Sequence, residues 1–143
     1  MQEYELERFV EAQNESYYGY NTALDEMKAG RKRSHWIWYI FPQLVDLGRS
    51  HTAKLYGIID IDEARAYLAH PVLGARLREI SEVILRHKNS DPEYLMGGFP
   101  DNLKLQSCMT LFALCSEKGS VFHRVLDKYF GGEMDSNTVK LAG

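Results

Sequence analysis

The feature of this sequence that most constrains its fold is the run HWIWYIFPQLVDLGRS, which spans residues 35–50. Its first seven residues are all large or aromatic, and both tryptophans of the chain, Trp36 and Trp38, lie among them. In a globular protein so apolar a run forms the centre of a core or the wall of a pocket. The polar residues in and around it are therefore the first candidates for a site: Lys32, His35, Gln43, Arg49 and Ser50.

The composition is that of an ordinary globular protein. With 143 residues, of which 45% are hydrophobic and 26% charged, the chain can form one folded domain. A chain of this length buries about 68–70% of its unfolded surface. The formal net charge of −3 argues against general nucleic-acid binding, because that binding needs a basic surface to displace counterions. We therefore expect residues 1–143 to be a single domain without general affinity for nucleic acid.

Three observations predict a cytoplasmic protein. The N-terminal sequence MQEYELERF is acidic and amphipathic, so no signal peptide is expected. No apolar run approaches the roughly 20 residues of a membrane span, so no membrane association is expected. Cys108 and Cys115 are seven residues apart on one predicted helix, a rise of about 10.5 Å. That exceeds the limit of about 7 Å between disulfide Cα atoms, which predicts free thiols in a reducing compartment.

Apolar residues recur at helical spacing along most of the chain. The stretch from Leu103 to Cys115 is apolar on almost every side, which is typical of a buried central helix, and Asp101 is its expected N-cap. The stretch Lys88–Pro92 is polar and predicts a linker. These patterns predict an all-α fold, a single compact domain of about eight short helices around the central helix and the buried aromatic segment His35–Phe41.

The aromatic segment itself has strand propensity, since aromatic residues and isoleucine favour a pleated surface. However, the chain offers no second strand for it to pair with, and a buried lone strand would leave its backbone groups without partners. Ser34 is a good helix N-cap, and Pro42 disfavours the helical region for Phe41. We therefore predict a short buried helix capped by Ser34 and ended by Pro42.

Gly48-Arg49-Ser50 is the most site-like short motif. Glycine lets the backbone approach a ligand, Arg49 offers a planar fork for phosphate or carboxylate, and Ser50 begins a helix whose free amides favour anions. The neighbouring aromatic block would supply walls on which a ring could stack. The alternative is a surface turn in which Ser50 is only an N-cap.

A second candidate lies on the central helix, where Gln106, Ser107 and Thr110 fall within about 100° of one another. Lys104 lies at the edge of the apolar stripe in the first turn, where a cation opposes the helix dipole unless an anion compensates it. Lys104 and Ser107 could therefore contact an anionic ligand. The alternative is that this polar facet faces solvent and that Lys104 pairs with Asp101.

Known catalytic templates do not fit this chain. The five histidines lack metal-ligand spacing, and neither a GxSxG elbow nor a phosphate-binding P-loop is present, so no metal site is expected. His35 could act as a general base near neutral pH, but a histidine hydrogen-bonded in the core is the favoured interpretation. The sequence therefore leaves open whether the protein is an enzyme, and it identifies no cofactor.

Several blocks resemble a known family. SHWIWYIFPQL, LGRS followed by Ala53 and Tyr56-Gly57, EARAYLAHPVLGARL and DNLKLQSCMTLF are similar to the signature blocks of domain-of-unknown-function family 1810. These are small, mostly bacterial proteins that often carry the label "calpastatin". The resemblance runs from Phe9 to about Thr138 and implies an all-α fold, but no activity, substrate or cofactor. The chain departs from the family pattern at Gln106 and Cys108, where a basic residue and a serine are usual.

Two functions are compatible with these observations. The first is a site for a small anionic, nucleotide- or phosphate-like ligand in an aromatic-walled pocket. Its residues would be Lys32, His35, Trp36, Trp38, Gln43, Gly48, Arg49, Ser50, Lys104 and Ser107. It requires Arg49 and Lys104 to converge, and it predicts that Arg49→Ala abolishes binding. The second is a non-catalytic protein–protein interaction module or homodimer with an exposed apolar patch; the sequence does not determine the oligomeric state.

Overall fold

Ten α-helices and one 3-10 turn make up the part of the chain that the computed structural model describes, residues 4–47 and 49–142. This confirms the all-α class. The 3-10 turn covers Val45–Leu47, between α3 and α4. The helices are α1 Glu7–Gln13, α2 Tyr20–Ala29, α3 Ile37–Ile40, α4 His51–Leu55, α5 Ile61–Ala69, α6 Leu73–Leu85, α7 Pro92–Leu95, α8 Asp101–Leu114, α9 Val121–Phe130 and α10 Ser136–Ala142.

The central helix is α8, as its all-round apolar sequence predicts. It packs against α5, α7, α9 and α10, while α6 contacts α2, α5 and α9. Six α8 residues have no exposed surface at all: Leu105, Cys108, Met109, Thr110, Leu111 and Phe112. Because α8 contributes to the core from several sides, the shorter helices pack around one common hydrophobic core.

The aromatic segment forms a single helical turn, α3, which confirms the helical prediction against its strand propensity. The start of that turn differs from the prediction, since Trp36 and not Ser34 occupies the N-cap position. Ser34 lies two residues before that position, where its backbone amide and its hydroxyl both donate to the Glu26 carboxylate, at 2.9 and 2.5 Å. The turn ends at Phe41, before Pro42, as predicted.

The residues after the aromatic segment are held by a short backbone pairing. The amide of Val45 donates to the Ile58 carbonyl at 2.8 Å, and the amide of Ile58 donates to the Gln43 carbonyl at 2.9 Å. The resulting parallel bridge joins Leu44 and Ile58, and the described residues contain no longer β-structure. The chain between the two paired segments carries α4, so this pairing fixes where α4 lies.

Of two predictions near α7 and α8, one is confirmed and one is wrong. The predicted linker is non-helical over residues 88–91, and its last residue, Pro92, is the first residue of α7, where Asp91 caps the amides of Glu93 and Tyr94. Asp101 is not the N-cap of α8 but its first residue, and Pro100 stands at the cap position without a side-chain bond. The carboxylate of Asp101 points instead toward two lysines, which matters for the site described below.

The thiols and the helix lengths follow the sequence. Cys108 is buried and Cys115 is half-buried, and neither forms a disulfide. Helices over residues 4–47 and 49–142 all lack the combination of length and apolar character that crossing a membrane requires.

Candidate functional site

Four stretches of chain meet around a cavity of about 320 Å³ beside the aromatic segment. They are Lys32 in the loop after α2, residues 35–39, Thr52 on α4, and the first turn of α8. We call this cavity the Trp38 pocket. Its lining consists of Lys32, His35, Trp36, Ile37, Trp38, Tyr39, Thr52, Asp101 and Lys104. Five of the residues singled out in the sequence therefore do come together: Lys32, His35, Trp36, Trp38 and Lys104.

The charged centre of the pocket is one carboxylate between two ammonium groups. Lys32 Nζ lies 2.8 Å from Asp101 Oδ2, and Lys104 Nζ lies 3.1 Å from Asp101 Oδ1. Burial raises the pKa of Asp101, but the hydrogen bonds and charges of the two lysines outweigh burial and lower the pKa below its usual value. The carboxylate is therefore ionised at neutral pH, and the three groups together carry a net charge of +1.

The two tryptophans have different roles. Trp36 is 1% exposed and donates its indole N–H to Glu26 at 2.9 Å, so its ring belongs mainly to the core. Trp38 is half-buried, and Lys104 Nζ lies 4.2 Å from the centroid of its ring. This cation–π contact holds the ammonium of Lys104 against the aromatic wall. Of the two rings considered for stacking, Trp38 is the accessible one.

Glu26, near the end of α2, organises the loop that supplies one side of the pocket. Its carboxylate accepts hydrogen bonds from the amides of Arg33 and Ser34, at 2.7 and 2.9 Å, besides those from the Ser34 hydroxyl and the Trp36 indole. Burial raises the pKa of Glu26, but these four donors together lower it. Sequence reasoning missed this residue, because a glutamate on a polar helix face gives no sign that a later loop will fold onto it.

His35 differs from the favoured interpretation of a hydrogen-bonded core histidine. Its side chain is exposed and lines the Trp38 pocket. Only its backbone carbonyl is tied, lying 3.2 Å from the Tyr39 hydroxyl. The imidazole is therefore free to face a molecule in the pocket.

Four other predicted site residues do not line the pocket: Gln43, Arg49, Ser50 and Ser107. Gln43 is buried, while Arg49 is exposed. The Ser50 hydroxyl accepts from the Ala53 amide at 3.1 Å, which is the capping role that formed the alternative interpretation. The Ser107 hydroxyl donates to the Leu103 carbonyl at 3.1 Å. Gly48 lies outside the described residues.

The polar facet of α8 does not face solvent, so that interpretation was wrong. Ser107 and Thr110 are both buried. The hydroxyl of Thr110 accepts from the backbone amide of Asp135 at 2.9 Å, and the side-chain amide of Gln106 donates to the Glu133 carbonyl at 2.9 Å. The facet therefore receives the chain that leads into α10. The second part of that interpretation, a pair between Lys104 and Asp101, is confirmed.

In the part of the chain that is described, no three histidine, cysteine, aspartate or glutamate side chains are grouped so that they could hold a metal ion. The Trp38 pocket instead offers ammonium groups, an aromatic face and an imidazole. These are groups that bind an anion and a flat ring.

Comparison with known proteins places this architecture in a family. The family model described as "Protein of unknown function (DUF1810)" matches residues 3–142. The crystal structure of a conserved hypothetical protein from Mycobacterium tuberculosis, at 1.38 Å, is similar, with 45% sequence identity and a TM-score of 0.89. The similarity covers 95% of this chain and 94% of that chain. No curated protein matches this chain significantly.

Proposed function

Because the chain belongs to the DUF1810 family, whose description gives no function, we propose a function from the Trp38 pocket alone: it binds a small anionic, phosphate-bearing ligand. The observation that carries the proposal is the convergence of Lys32, Lys104 and the Trp38 ring on one cavity with a single carboxylate between the lysines. A nucleotide-like ligand, which joins a phosphate to a flat ring, matches this combination of groups.

The two lysines keep donors for a ligand. An ammonium group has three N–H donors, and both Lys32 and Lys104 direct one of them to Asp101. The side chain of Lys32 is 8% exposed and that of Lys104 is 22% exposed, so their charges act in a partly desolvated place, where an anion is held more strongly than in water. Lys104 would make the direct contact, and Lys32 would add to the positive field.

The cavity volume limits the size of the ligand. At about 320 Å³ the pocket lies near the lower end of the roughly 300–1,000 Å³ usual for small-molecule sites. A sugar phosphate or a mononucleotide fits this range better than a dinucleotide, of which only one half would be enclosed.

A thermal-shift screen with inorganic phosphate, AMP, ADP, ADP-ribose and glucose 6-phosphate tests the proposal. A ligand at 100 times its dissociation constant stabilises the folded state by about 2.7 kcal/mol. For a domain of this size we expect a shift of several degrees. Lys104→Gln should abolish the shift, whereas Lys54→Gln on the exposed side of α4 should keep it. A shift that survives Lys104→Gln would contradict the proposed site.

Arg49→Ala forms a second arm of the same screen. Arg49 is exposed and does not line the pocket, so we expect the variant to keep the ligand-induced shift. If Arg49→Ala loses the shift while its own melting temperature is unchanged, Arg49 contacts the ligand from outside the cavity, as the sequence hypothesis required.

A second candidate function, the binding of a further copy of this chain, is favoured by exposed apolar side chains in the stretch that leads into α8. Tyr94 is 49% exposed, Phe99 71% and Leu103 45%. These three exposed side chains come from one stretch of the sequence, residues 94–103, and exposed apolar patches are typical of interaction surfaces. Light scattering on the purified protein decides this candidate. A dimer that Phe99→Ser converts to a monomer supports it, and a monomer at all concentrations excludes it.

A further inference from the structure

A second cavity lies near the other end of α8, beyond its last residue. It has a volume of about 710 Å³ and is lined by parts of α5 and α6, by the loop 115–120 and by the first turn of α9. Its apolar residues include the buried Leu68, Val121 and Phe122. We call it the arginine cleft. Because α8 has 14 residues, its two ends are about 20 Å apart, so the arginine cleft is separate from the Trp38 pocket.

The lining of the arginine cleft is positively charged although the chain as a whole is not. Two carboxylates line it, Glu82 and Glu117, against four cationic side chains, which are Arg65, Arg78, Lys118 and Arg124. These six groups leave a formal charge of +2, whereas the net charge of the chain is −3. The four cations come from α5, α6, the loop and α9, so the fold and not a local run in sequence brings them together.

The ion pairs in and beside the cleft do not hold these cations tightly. Arg124 and Glu82 are joined at 2.6 Å, but their side chains are 51% and 44% exposed. Arg65 pairs with Asp62 at 3.2 Å, with side chains that are 60% and 68% exposed. Exposed pairs of this kind contribute little to stability and are screened by salt. The guanidinium groups can therefore turn toward a ligand with more negative charge than one carboxylate.

Among the described residues, Arg78 and Lys118 form no ion pair. Arg78 makes one long hydrogen bond, 3.3 Å, to the Leu68 carbonyl, which leaves most of its five N–H donors unused. Lys118 is exposed and takes part in no ion pair among residues 4–47 and 49–142. The thiol of Cys115 also lines the cleft, but burial raises its pKa to about 11, so it is neutral at physiological pH and adds no opposing charge.

From this arrangement we propose that the arginine cleft binds a small anion with two or three linked phosphate groups. Guanidinium forks match phosphate oxygens in bidentate geometry. Because the cations are distributed around a space of about 710 Å³, a chain of phosphates can contact more of them than one phosphate group can. The net charge of −3 repels a long nucleic acid but not a compact anion that the cleft encloses.

Titration calorimetry of the full chain with inorganic diphosphate, at about 50 mM salt, tests the proposal, since salt weakens such contacts. In Lys104→Gln, which removes the proposed binding in the Trp38 pocket, we expect one diphosphate per chain, with affinity at least tenfold above that of sulfate. Arg78→Gln and Arg124→Gln should each weaken diphosphate binding about tenfold or more. Lys140→Gln, an exposed charge change on α10, should leave it unchanged. Both arginines are exposed, so these variants should fold, which their melting curves will verify.

The result that separates the two sites is the behaviour of Lys104→Gln. The arginine cleft requires diphosphate affinity to survive this variant, and it requires the amide resonances of Lys118 and Gly119 to move on titration. The proposal is overturned if diphosphate does not bind, if sulfate binds equally well, or if Arg78→Gln and Arg124→Gln keep full affinity. If Lys104→Gln alone removes binding, diphosphate occupies the Trp38 pocket, and the arginine cleft has no such role.

Discussion

Asp101 acts in two opposed ways in the Trp38 pocket. Its carboxylate positions Lys32 and Lys104, with which it forms ion pairs at 2.8 and 3.1 Å. The same carboxylate also neutralises half of the positive charge that an anionic ligand would meet. A group that supports the geometry of a site while it competes with the ligand should have opposite effects on stability and on affinity when it is removed.

Asp101→Asn should therefore bind a phosphate compound more tightly and be less stable. Removing the carboxylate changes the charge of the three groups from +1 to +2, and it leaves the largely buried ammonium of Lys32 without its partner. We expect a loss of about 1–3 kcal/mol in the free energy of unfolding at pH 7. Urea denaturation measures the stability, and the thermal shift given by a phosphate-bearing ligand measures the affinity. Asp127→Asn, an exposed carboxylate on α9, is the matched control.

The stability difference between the wild type and Asp101→Asn should depend on pH. The pKa of Asp101 is lowered in the folded protein, whereas an unfolded chain has an aspartate pKa of about 3.9. The stabilisation is therefore present above about pH 4 and is lost as the pH falls through the folded-state pKa. The stability difference between the wild type and Asp101→Asn should be constant from pH 7 to 5 and should shrink below about pH 4. A difference that grows on acidification would contradict this role of Asp101.

At the scale of elements, several helices are too short to be stable by themselves and are held by contacts with distant segments. The five-residue helix α4 is an example, since it lies between the two segments joined at Leu44 and Ile58. Gly57 permits that pairing, because a Cβ atom there would lie 2.4 Å from the Cα of Val45. The close approach of two backbones at Gly57 therefore determines where α4, and Thr52 on it, lie relative to the pocket.

Gly57→Ala should destabilise the protein and disturb the Trp38 pocket. The added methyl group meets backbone, which cannot move aside as a flexible side chain does, so we expect a loss of about 1–3 kcal/mol in the free energy of unfolding. Ligand-induced thermal shifts should also fall, because α4 must move. Lys54→Ala, on the exposed side of the same helix, should be nearly neutral. If Gly57→Ala is as stable as the wild type, the approach to Val45 is not a tight constraint.

Several helix ends have signals that are local in the sequence, such as Ser50, whose capping role the sequence allowed as an alternative. Ser50, Asp60 and Ser120 each accept a hydrogen bond from the amide three residues later, and Gly30 and Gly131 end their helices in left-handed conformations. The predicted start of α3 was wrong because Glu26, eight residues from Ser34, binds the amides of Arg33 and Ser34 and holds them outside the helix. Asp101 was misread for a similar reason, since its partner Lys32 is 69 residues away in sequence. Local capping rules are not sensitive to partners brought by the fold.

At the scale of the whole molecule, the sequence supplied the kinds of residues in the site but not their grouping. The aromatic run identified Trp36, Trp38 and their neighbours, and five of the ten proposed site residues line one cavity. The prediction that Gly48, Arg49 and Ser50 belong to the site rested on their own short motif. A motif of this length does not determine how α4 is placed against α8. The arginine cleft gave no sequence signal at all, because its four cations are spread between residues 65 and 124. Such charge clusters depend on tertiary packing.

The buried thiol on α8 provides a test of whether the helices unfold as one unit. Cys108 has no exposed surface, and burial raises its pKa well above the usual value. A disulfide reagent needs the thiolate, so it can reach Cys108 only after α8 leaves the core. In Cys115→Ser, where Cys108 is the single thiol, we expect labelling at least about a thousandfold slower than that of a free thiol, given a typical stability of 5–15 kcal/mol.

The urea dependence of that labelling rate distinguishes global from local opening. If the core around α8 is cooperative, the opening free energy should fall with urea at the same slope as global unfolding measured by circular dichroism. In Cys108→Ala the half-buried Cys115 should react faster and with a smaller slope, because fraying of the end of α8 is enough to expose it. Equal, shallow slopes for both thiols would mean that α8 opens locally, and the short helices would then not depend on one common core.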